Sequence, residues 1–253
     1  KGHRLVARFR YLGCMGMKIE RRDGFKIVVD PYIKGYEMAV DSVDSLYDAD
    51  LVVVTHAAFD HFGDTVEILK NSDAKLLAGD EVLAMVKEEH EDIDPERLCG
   101  TVYGGIHEFG ETVIRTVAAW HCSAVMRGGV RLNYNPFGYM IQVEEQVTYY
   151  HTGDTCLFAD MELLGKVFRP DVMMVGISNS VLGYSGEMTP EEAAMAVEMV
   201  SPNVVIPSHY LKGDGTLERF MDHIKVRAPH TKVLSSIGRT FEYVPFKIIQ
   251  EQE

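Results

Sequence analysis

The chain has 253 residues, and 25 Lys and Arg against 38 Asp and Glu give it a formal net charge of −13 with histidine neutral. Proteins that bind nucleic-acid backbones use clustered Lys and Arg, so this balance argues against nucleic acid as a partner. With 46% hydrophobic and 25% charged residues, the composition is typical of a folded globular protein. No linker rich in Pro, Gly or Ser divides the chain, so we predict a single domain over residues 1–253.

The sequence also argues against a membrane protein. No window approaches the roughly 18–20 uninterrupted apolar residues that a membrane-spanning helix needs, and residues 1–10 lack the apolar core of a signal peptide. The four cysteines form no C-x-x-C pair, which favours reduced thiols over a disulfide framework or a zinc ribbon. These features predict a cytoplasmic protein.

The predicted elements begin with β structure. Strands are expected over 9–13, 17–21 and 25–32, with Asp23 and Gly24 as a turn signal between the last two. A buried strand over 51–54 follows. Next come a helix over 64–70, a strand over 75–78 and a helix over 80–90, for which Asp80 is the expected N-cap.

The middle of the chain returns to strands, over 97–103, 111–118, 138–144 and 147–151, and the last third alternates helix and strand. A helix over 158–168 precedes a strand over 171–176, and a capping box at 189–192 opens a helix that runs to 200. A strand over 204–206, a helix over 217–227 and strands over 232–235 and 240–244 complete the chain. This order predicts the α/β class, as a four-layer αβ/βα sandwich of two sheets under outer helices.

Four short segments place His and Asp directly after apolar strands. The longest, residues 55–61, reads T-H-A-A-F-D-H and follows the buried strand over 51–54. The others contain His121, H-T-G-D-T at 151–155, and His209. Ligand sites in open α/β structures favour the carboxyl ends of strands, and His and Asp bind zinc and similar divalent ions. We therefore predict that these segments converge on one edge of the molecule.

In this order and spacing the segments resemble the metallo-β-lactamase fold hydrolases. The motif of that family is T-H-x-H-x-D-H, followed by a distant His, an Asp in an H-T-G-D-like turn and a final His after a strand. The resemblance extends over nearly the whole chain. Within the family, the sequence is most similar to the small prokaryotic hydrolases that include the ascorbate-6-phosphate lactonase, because H-T-G-D-T at 151–155, P-E-E-A-A at 190–194 and V-I-P-S-H-Y at 205–210 recur there.

The resemblance implies a metal-dependent hydrolase that uses one or two divalent ions, either Zn, Mn or Fe. Such ions activate a water molecule for attack on a carbonyl or phosphoryl centre, and their positive charge suits a small anionic ester, lactone or phosphoester. Asp60 and His61 are the implied catalytic residues. The implied ligands are, for the first ion, His56 and His121; for the second, Asp60, His61 and His209; and, as a bridge between them, Asp154.

One position departs from the family motif. The second histidine of T-H-x-H-x-D-H falls at position 58, which is alanine here. Because alanine cannot coordinate a metal, loss of the first ion and impaired turnover are the expected consequences. Ala58 is explained either by a naturally altered member with one metal or by a substitution introduced to stop turnover, and the intact remainder of the motif favours the second explanation.

Candidate substrate-binding residues lie in the loops that follow the motif segments. Arg127 and Arg131 could clamp an anionic group, and Asn179 and Tyr210 are placed by position to line a pocket. The expected partner is a small-molecule substrate, with no nucleic acid and no membrane, and the family analogy makes a homo-oligomer plausible. Two alternatives stay open: a phosphodiesterase or nuclease of the same fold, and a non-catalytic ligand-binding protein.

Overall fold

The computed structural model describes residues 7–178 and 186–245. The strands in these residues form two seven-stranded sheets and one separate hairpin. The first sheet contains β1 (Ala7–Gly13), β2 (Gly16–Glu20), β3 (Lys26–Val29), β4 (Leu51–Val53), β5 (Lys75–Ala78), β6 (Leu98–Gly100) and β16 (Thr240–Tyr243). The second contains β7 (Ile106–Phe109), β8 (Thr112–Ala118), β11 (Phe137–Glu144), β12 (Val147–His151), β13 (Val172–Gly176), β14 (Val204–Ser208) and β15 (Lys232–Val233). The hairpin pairs β9 (Ser123–Arg127) with β10 (Val130–Tyr134).

Each large sheet is antiparallel in one half and parallel in the other. The first has the order β16-β1-β2-β3-β4-β5-β6, and its strands from β3 to β6 are parallel. The second has the order β15-β14-β13-β12-β11-β8-β7, and its strands from β12 to β15 are parallel. Because parallel strands end at the same edge of a sheet, the loops after β4, β12 and β14 are placed where a ligand site can form.

Helices cover the outer faces of both sheets. They are α1 (Phe59–Phe62), α2 (Thr65–Lys70), α3 (Asp80–Glu89), α4 (Asp160–Phe168), α5 (Pro190–Val200) and α6 (Thr216–Arg227). Buried side chains of α2 and α3 share one apolar cluster with outward residues of the first sheet, and those of α4, α5 and α6 share another with the second sheet. None of the helices in the described residues has the length and hydrophobicity needed to cross a bilayer.

Side-chain alternation explains the layers. Ile27 and Val29 of β3 point into the cluster between the sheets, whereas Val28 between them points towards the helices. In β13, Met174 faces the inner cluster and Met173 the outer one. Every second residue of these strands is therefore buried on each face, as expected for sheets that are covered on both sides. The predicted four-layer αβ/βα sandwich is confirmed.

Several predicted boundaries were wrong in detail. Gly79, not Asp80, is the N-cap of α3, and Asp80 is its first helical residue. The strand predicted over 97–103 ends at Gly100. Helix α1, strand β7 and the hairpin β9–β10 were not predicted. The hairpin does carry sequence signals, because V-R-L-N-Y at 130–134 alternates apolar and polar residues and follows the two-residue turn Gly128-Gly129, although β10 is exposed along its whole length.

The capping box at the start of α5 is confirmed. The Thr189 hydroxyl accepts a hydrogen bond from the backbone N–H of Glu192, and the Glu192 carboxylate accepts one from the backbone N–H of Thr189. We expect Thr189→Ala to lower the free energy of unfolding by about 1 kcal/mol, because two helix N-terminal groups lose their mutual support. Urea denaturation measures this directly, and an unchanged midpoint would contradict it.

Candidate metal centre

The predicted convergence of the four motif segments is present in the structure. His56 follows β4, His121 follows β8, Asp154 follows β12 and His209 follows β14. The turn after β12 depends on Gly153, which has a φ of +59° and whose missing Cβ would lie 2.6 Å from the carbonyl oxygen of Phe137. Only glycine fits this close approach without strain, and it delivers Asp154 into the loops that follow the first sheet.

Four imidazoles surround one carboxylate oxygen. The Oδ2 atom of Asp154 lies 3.2 Å from Nε2 of His61, 3.6 Å from Nε2 of His209, and 3.9 Å from the Nε2 atoms of both His56 and His121. His61 is 0% exposed and Asp154 3%, whereas the His209 side chain is 23% exposed. The centre therefore has a buried floor, at His61 and Asp154, and a mouth that is open to solvent, at His209.

Buried polar atoms in this floor lack partners. The Nε2 atoms of His56 and His61 and the Oδ1 atom of Asp154 are buried without a hydrogen bond, since the 3.2 Å contact between His61 and Asp154 lacks hydrogen-bond geometry. Orphaned buried polar groups are costly and call for an explanation. One ligand atom from each of these three residues lies within 4.8 Å of the others. Imidazole nitrogens and a carboxylate are the donors that Zn, Mn and Fe ions accept, so these residues fit a divalent metal.

A buried aspartate behind the centre fixes the orientation of two imidazoles. Asp30 accepts hydrogen bonds from Nδ1 of His61 at 2.7 Å, from the Thr55 hydroxyl at 2.7 Å and from the Thr55 backbone N–H at 2.8 Å. Because the Thr55 hydroxyl donates to Asp30, it is left to accept from Nδ1 of His56 at 3.0 Å. Both rings thus carry a proton on Nδ1, which leaves Nε2, the nitrogen that faces Asp154, as the atom that can bind a metal once it carries no proton.

The electrostatics favour ionised carboxylates. Burial alone would raise the pKa of Asp154, but the nearby imidazoles of His61 and His209 hold it well below its ordinary value. Burial opposes protonation of His61 too, yet Asp154 and Asp30 raise its pKa well above its ordinary value. Burial and repulsion by His61 lower the pKa of His56 to about 3, so this ring is neutral and ready to coordinate.

Asp60, His209 and Cys14 form the mouth of the centre. Nε2 of His209 lies 3.1 Å from Oδ2 of Asp60, and one ligand atom of Cys14 lies within 4.8 Å of both side chains. Burial would lower the pKa of His209, but Asp154 and the hydrogen bond with Asp60 raise it to about 9. Burial raises the pKa of the Cys14 thiol to about 12.

Backbone strain is concentrated at this centre. Of the five non-glycine residues with positive φ in the described chain, Arg169 and Ser201 end helices. The other three are Cys14, Asp30 and His209, with φ values of 48°, 44° and 59°. Such conformations cost about 1–3 kcal/mol each and persist where surrounding structure enforces them, commonly at functional sites. Strain here supports a functional role for this edge of the sheets.

Of the predicted substrate-binding residues that the structure describes, only Tyr210 lines the cleft at the metal centre. Tyr210 lines an open cleft of about 340 Å³ beside Asp60 and His209, although its hydroxyl donates to the carbonyl of Ser235. Arg127 forms an ion pair with Glu88 of α3. Arg131 is exposed, with Nη2 lying 3.8 Å from Sγ of Cys122. Neither arginine lines the cleft, and Asn179 lies outside the described residues.

Two neighbouring polar residues have structural roles. Both ring nitrogens of His151 are engaged, since Nε2 donates to the Met15 carbonyl at 2.8 Å and Nδ1 accepts from the Gly153 N–H at 3.1 Å. Asp64 supports the loop after β3 by accepting hydrogen bonds from the backbone N–H groups of Ile33 and Lys34.

The half-buried Ala58 is the N-cap residue of α1, and its carbonyl accepts a hydrogen bond from the backbone N–H of His61.

Three residues of the centre were not found by sequence reasoning. Asp30 follows β3 directly, so the pattern of an acidic residue after an apolar strand could have revealed it. Cys14 lies in the turn between β1 and β2, where nothing local marks it. Glu187 stands just before the capping box of α5, and its carboxylate joins His121 and Asp154 in a group whose ligand atoms all lie within 4.8 Å. Only the tertiary fold brings it there.

Metal uptake is expected to release protons. His209, with a pKa of about 9, and His61, with a strongly raised pKa, are both protonated near neutral pH before an ion binds, and a ligating imidazole must give up its Nε2 proton. We predict one proton released from each ring, and an affinity that rises about tenfold per pH unit for each proton until pH reaches the pKa of His209. Calorimetric titration in buffers of different ionisation enthalpy measures this, with His223→Ala as a surface control. Equal heats in all buffers would contradict the prediction.

Comparisons with known proteins agree with this geometry. A model of the Beta-lactamase superfamily domain matches residues 26–210. A UPF0173 metal-dependent hydrolase of Methanopyrus kandleri is 36% identical over 205 residues, which are 80% of this chain and 84% of that protein. A UPF0173 metal-dependent hydrolase of Thermodesulfovibrio yellowstonii is 34% identical over 252 residues, and the match covers 91% of this chain and 90% of that protein.

Solved structures extend the similarity to the fold. Igni18, a metallo hydrolase from the archaeon Ignicoccus hospitalis, superposes with a TM-score of 0.77 and 26% identity, covering 94% of this chain and 98% of that one. The metallo-β-lactamase fold protein YhfI of Bacillus subtilis has a TM-score of 0.70 at 13% identity, over 94% of this chain and 100% of that one, which concerns the fold alone. The chain therefore belongs to the β-lactamase superfamily, in its family of UPF0173 metal-dependent hydrolases.

Proposed function

We propose that this protein hydrolyses a small ester, lactone or phosphoester at a divalent metal centre built around Asp154. The observation that carries the proposal is the convergence of four imidazoles within 3.9 Å of one buried carboxylate oxygen, with three polar atoms left unpartnered. One or two ions, Zn, Mn or Fe, would activate water and polarise the oxygen under attack. Lactones are included because of the narrower resemblance to the ascorbate-6-phosphate lactonase.

The residues of the metal centre have distinct tasks in this proposal. His56, His61 and Asp154 form the buried floor that excludes bulk water from one side of the centre. Asp60 and His209 stand at the mouth, where a substrate arrives, and Asp60 can accept a proton from the attacking water. Asp30 holds the His61 ring in its orientation, which keeps Nε2 directed inward during turnover.

The cleft at the mouth suits a small substrate with an apolar part. Tyr32, Tyr36, Phe59 and Tyr210 line it together with the acidic and imidazole groups, and the Phe59 side chain stands largely exposed beside Tyr32. No Lys or Arg is among the described residues that line it. An anionic group of the substrate would therefore be held by the ions, and a long polyanion such as a nucleic acid finds no basic track here.

The test is a hydrolysis screen of the metal-restored protein. The chain is stripped with a chelator, reloaded with Mn²⁺, Zn²⁺ or Fe²⁺, and assayed against aryl esters, lactones and aryl phosphodiesters. We expect metal-dependent turnover of at least one class, loss of that turnover in His61→Ala, and full activity in the surface control His223→Ala. Bound metal without turnover of any class would favour a non-catalytic ligand-binding protein instead.

A further inference from the structure

We infer that Glu187 is a metal ligand that completes the first ion's site with His121 and Asp154, in place of the imidazole that position 58 lacks. The inference rests on the metal centre of the proposed function but not on its substrate. It replaces the expectation that Ala58 leaves the first site too weak to hold an ion.

The geometry places Glu187 at the centre. One ligand atom from each of His121, Asp154 and Glu187 lies within 4.8 Å of the other two, so small side-chain movements bring all three onto one ion. The backbone before Glu187 runs against the His121 ring, since a Cβ on Gly186 would lie 2.6 Å from Nδ1 of His121. This contact fixes the chain entering Glu187 relative to one of the imidazole ligands.

In the described part of the chain, the one cationic group within 4.0 Å of Glu187 is the His209 imidazole, which Glu187 shares with Asp60 and Asp154. The Glu187 side chain is 7% exposed, and no Lys or Arg in the described part of the chain forms an ion pair with it. The Ser178 hydroxyl donates to Oε2 at 3.1 Å, and Nε2 of His209 lies 4.0 Å from Oε1. A buried carboxylate is costly unless it is paired or coordinates a metal. The Ser178 bond orients the carboxylate in the way that outer hydrogen bonds orient metal ligands.

The donor chemistry has a consequence for the choice of ion. With Glu187, the first site combines the imidazoles of His56 and His121 with the carboxylates of Asp154 and Glu187. Carboxylate oxygens suit Mn²⁺ better than an all-imidazole set does. Two divalent ions would balance the charge of the four carboxylates of the centre, which are those of Asp30, Asp60, Asp154 and Glu187.

Glu187→Gln separates coordination from packing. Glutamine keeps the size of the side chain and an oxygen that accepts from Ser178, but it is a much poorer metal ligand. The metal-stripped wild type, Glu187→Gln and the exposed control Glu89→Gln are titrated with Mn²⁺ by calorimetry, and bound metal is counted by mass spectrometry after dialysis. We expect two ions per chain in the wild type and in Glu89→Gln. In Glu187→Gln we expect one ion after dialysis, because the affinity of the first ion's site, which contains His121 and Asp154, is lowered at least about tenfold.

Two results would overturn the assignment. One is a wild type that binds a single ion at saturating Mn²⁺, a measurement that does not depend on whether the variant folds. The other is a Glu187→Gln protein, folded by circular dichroism, that keeps both ions at unchanged affinity. Glu187 would then only position His209 through Ser178, whose hydroxyl also lies 3.3 Å from Nδ1 of His209. Two ions that depend on Glu187, without hydrolysis of any screened substrate, would support the ligand assignment and count against the proposed function.

Discussion

Asp154→Asn is expected to abolish hydrolysis. The Oδ2 atom of Asp154 is the point on which four imidazoles converge, and its pKa is held well below the ordinary value despite burial, so the native residue is an anion. An amide carries no charge to offset metal ions. Metal catalysis contributes several kcal/mol, so kcat/KM should fall at least about a thousand-fold and bound metal should fall with it.

The control for this variant is Asp73→Asn, which makes the same carboxylate-to-amide change at an exposed aspartate. Its rate and metal content should match those of the wild type. A folded Asp154→Asn protein that keeps its metal and turns over within about tenfold of the wild type would remove Asp154 from the centre of the mechanism.

Asp30→Asn is expected to weaken both the fold and the metal site. Asp30 is fully buried and accepts hydrogen bonds from His61 and from Thr55, so its amide analogue removes one of the two carboxylates that stabilise the His61 imidazolium. Breaking a buried ion pair costs about 3–5 kcal/mol, and loss of a residue that orients a ligand costs about 10–100-fold in metal affinity. Asparagine is chosen because it tolerates the positive φ of this position.

The pH dependence of the Asp30→Asn effect has a defined sign. Burial works against ionisation of Asp30, but His61 lowers its pKa below the ordinary 3.8, so its contribution to stability is present above that value and is lost as pH falls. His61 has a pKa raised above the ordinary 6.5, so its contribution is complete below 6.5 and is lost as pH rises through the raised value. The gap between the metal-free wild type and variant should be largest between pH 3.8 and 6.5. Denaturant titrations across pH measure it; a constant gap would contradict an ion pair.

Much of the fold could be predicted from local patterns. The buried strand before His56 and the capping box at Thr189 carry strong signals, because apolar runs and reciprocal caps are decided by near neighbours. The positions of His56, Asp154 and His209 follow from one rule, that parallel strands end at a common edge of their sheet. His121 follows the antiparallel strand β8, so its place beside them depends on the packing of the fold. The hairpin β9–β10 was missed although the turn Gly128-Gly129 and the apolar/polar alternation of 130–134 mark it, and the apolar residues of β10 are exposed in the fold.

The remainder of the centre depends on tertiary placement. Glu187 lies in a loop whose sequence resembles any helix entry, and its neighbours His121 and Asp154 are far away along the chain. Arg127 looked suited to an anion, yet its partner is Glu88 on α3, a pairing that no spacing in the sequence reveals. A long charged side chain takes whichever partner the fold presents, so the role of such a residue is the least predictable part of a site.

Anomalous diffraction from crystals grown with Mn²⁺ or Zn²⁺ tests the central claim most directly. The claim is that Asp154 and the histidines around it hold divalent metal. We predict anomalous peaks beside the Asp154 carboxylate, with ligand distances of about 2.0–2.2 Å to imidazole nitrogen and carboxylate oxygen. Crystals saturated with metal that show no peak within reach of Asp154, His56 and His61 would contradict it.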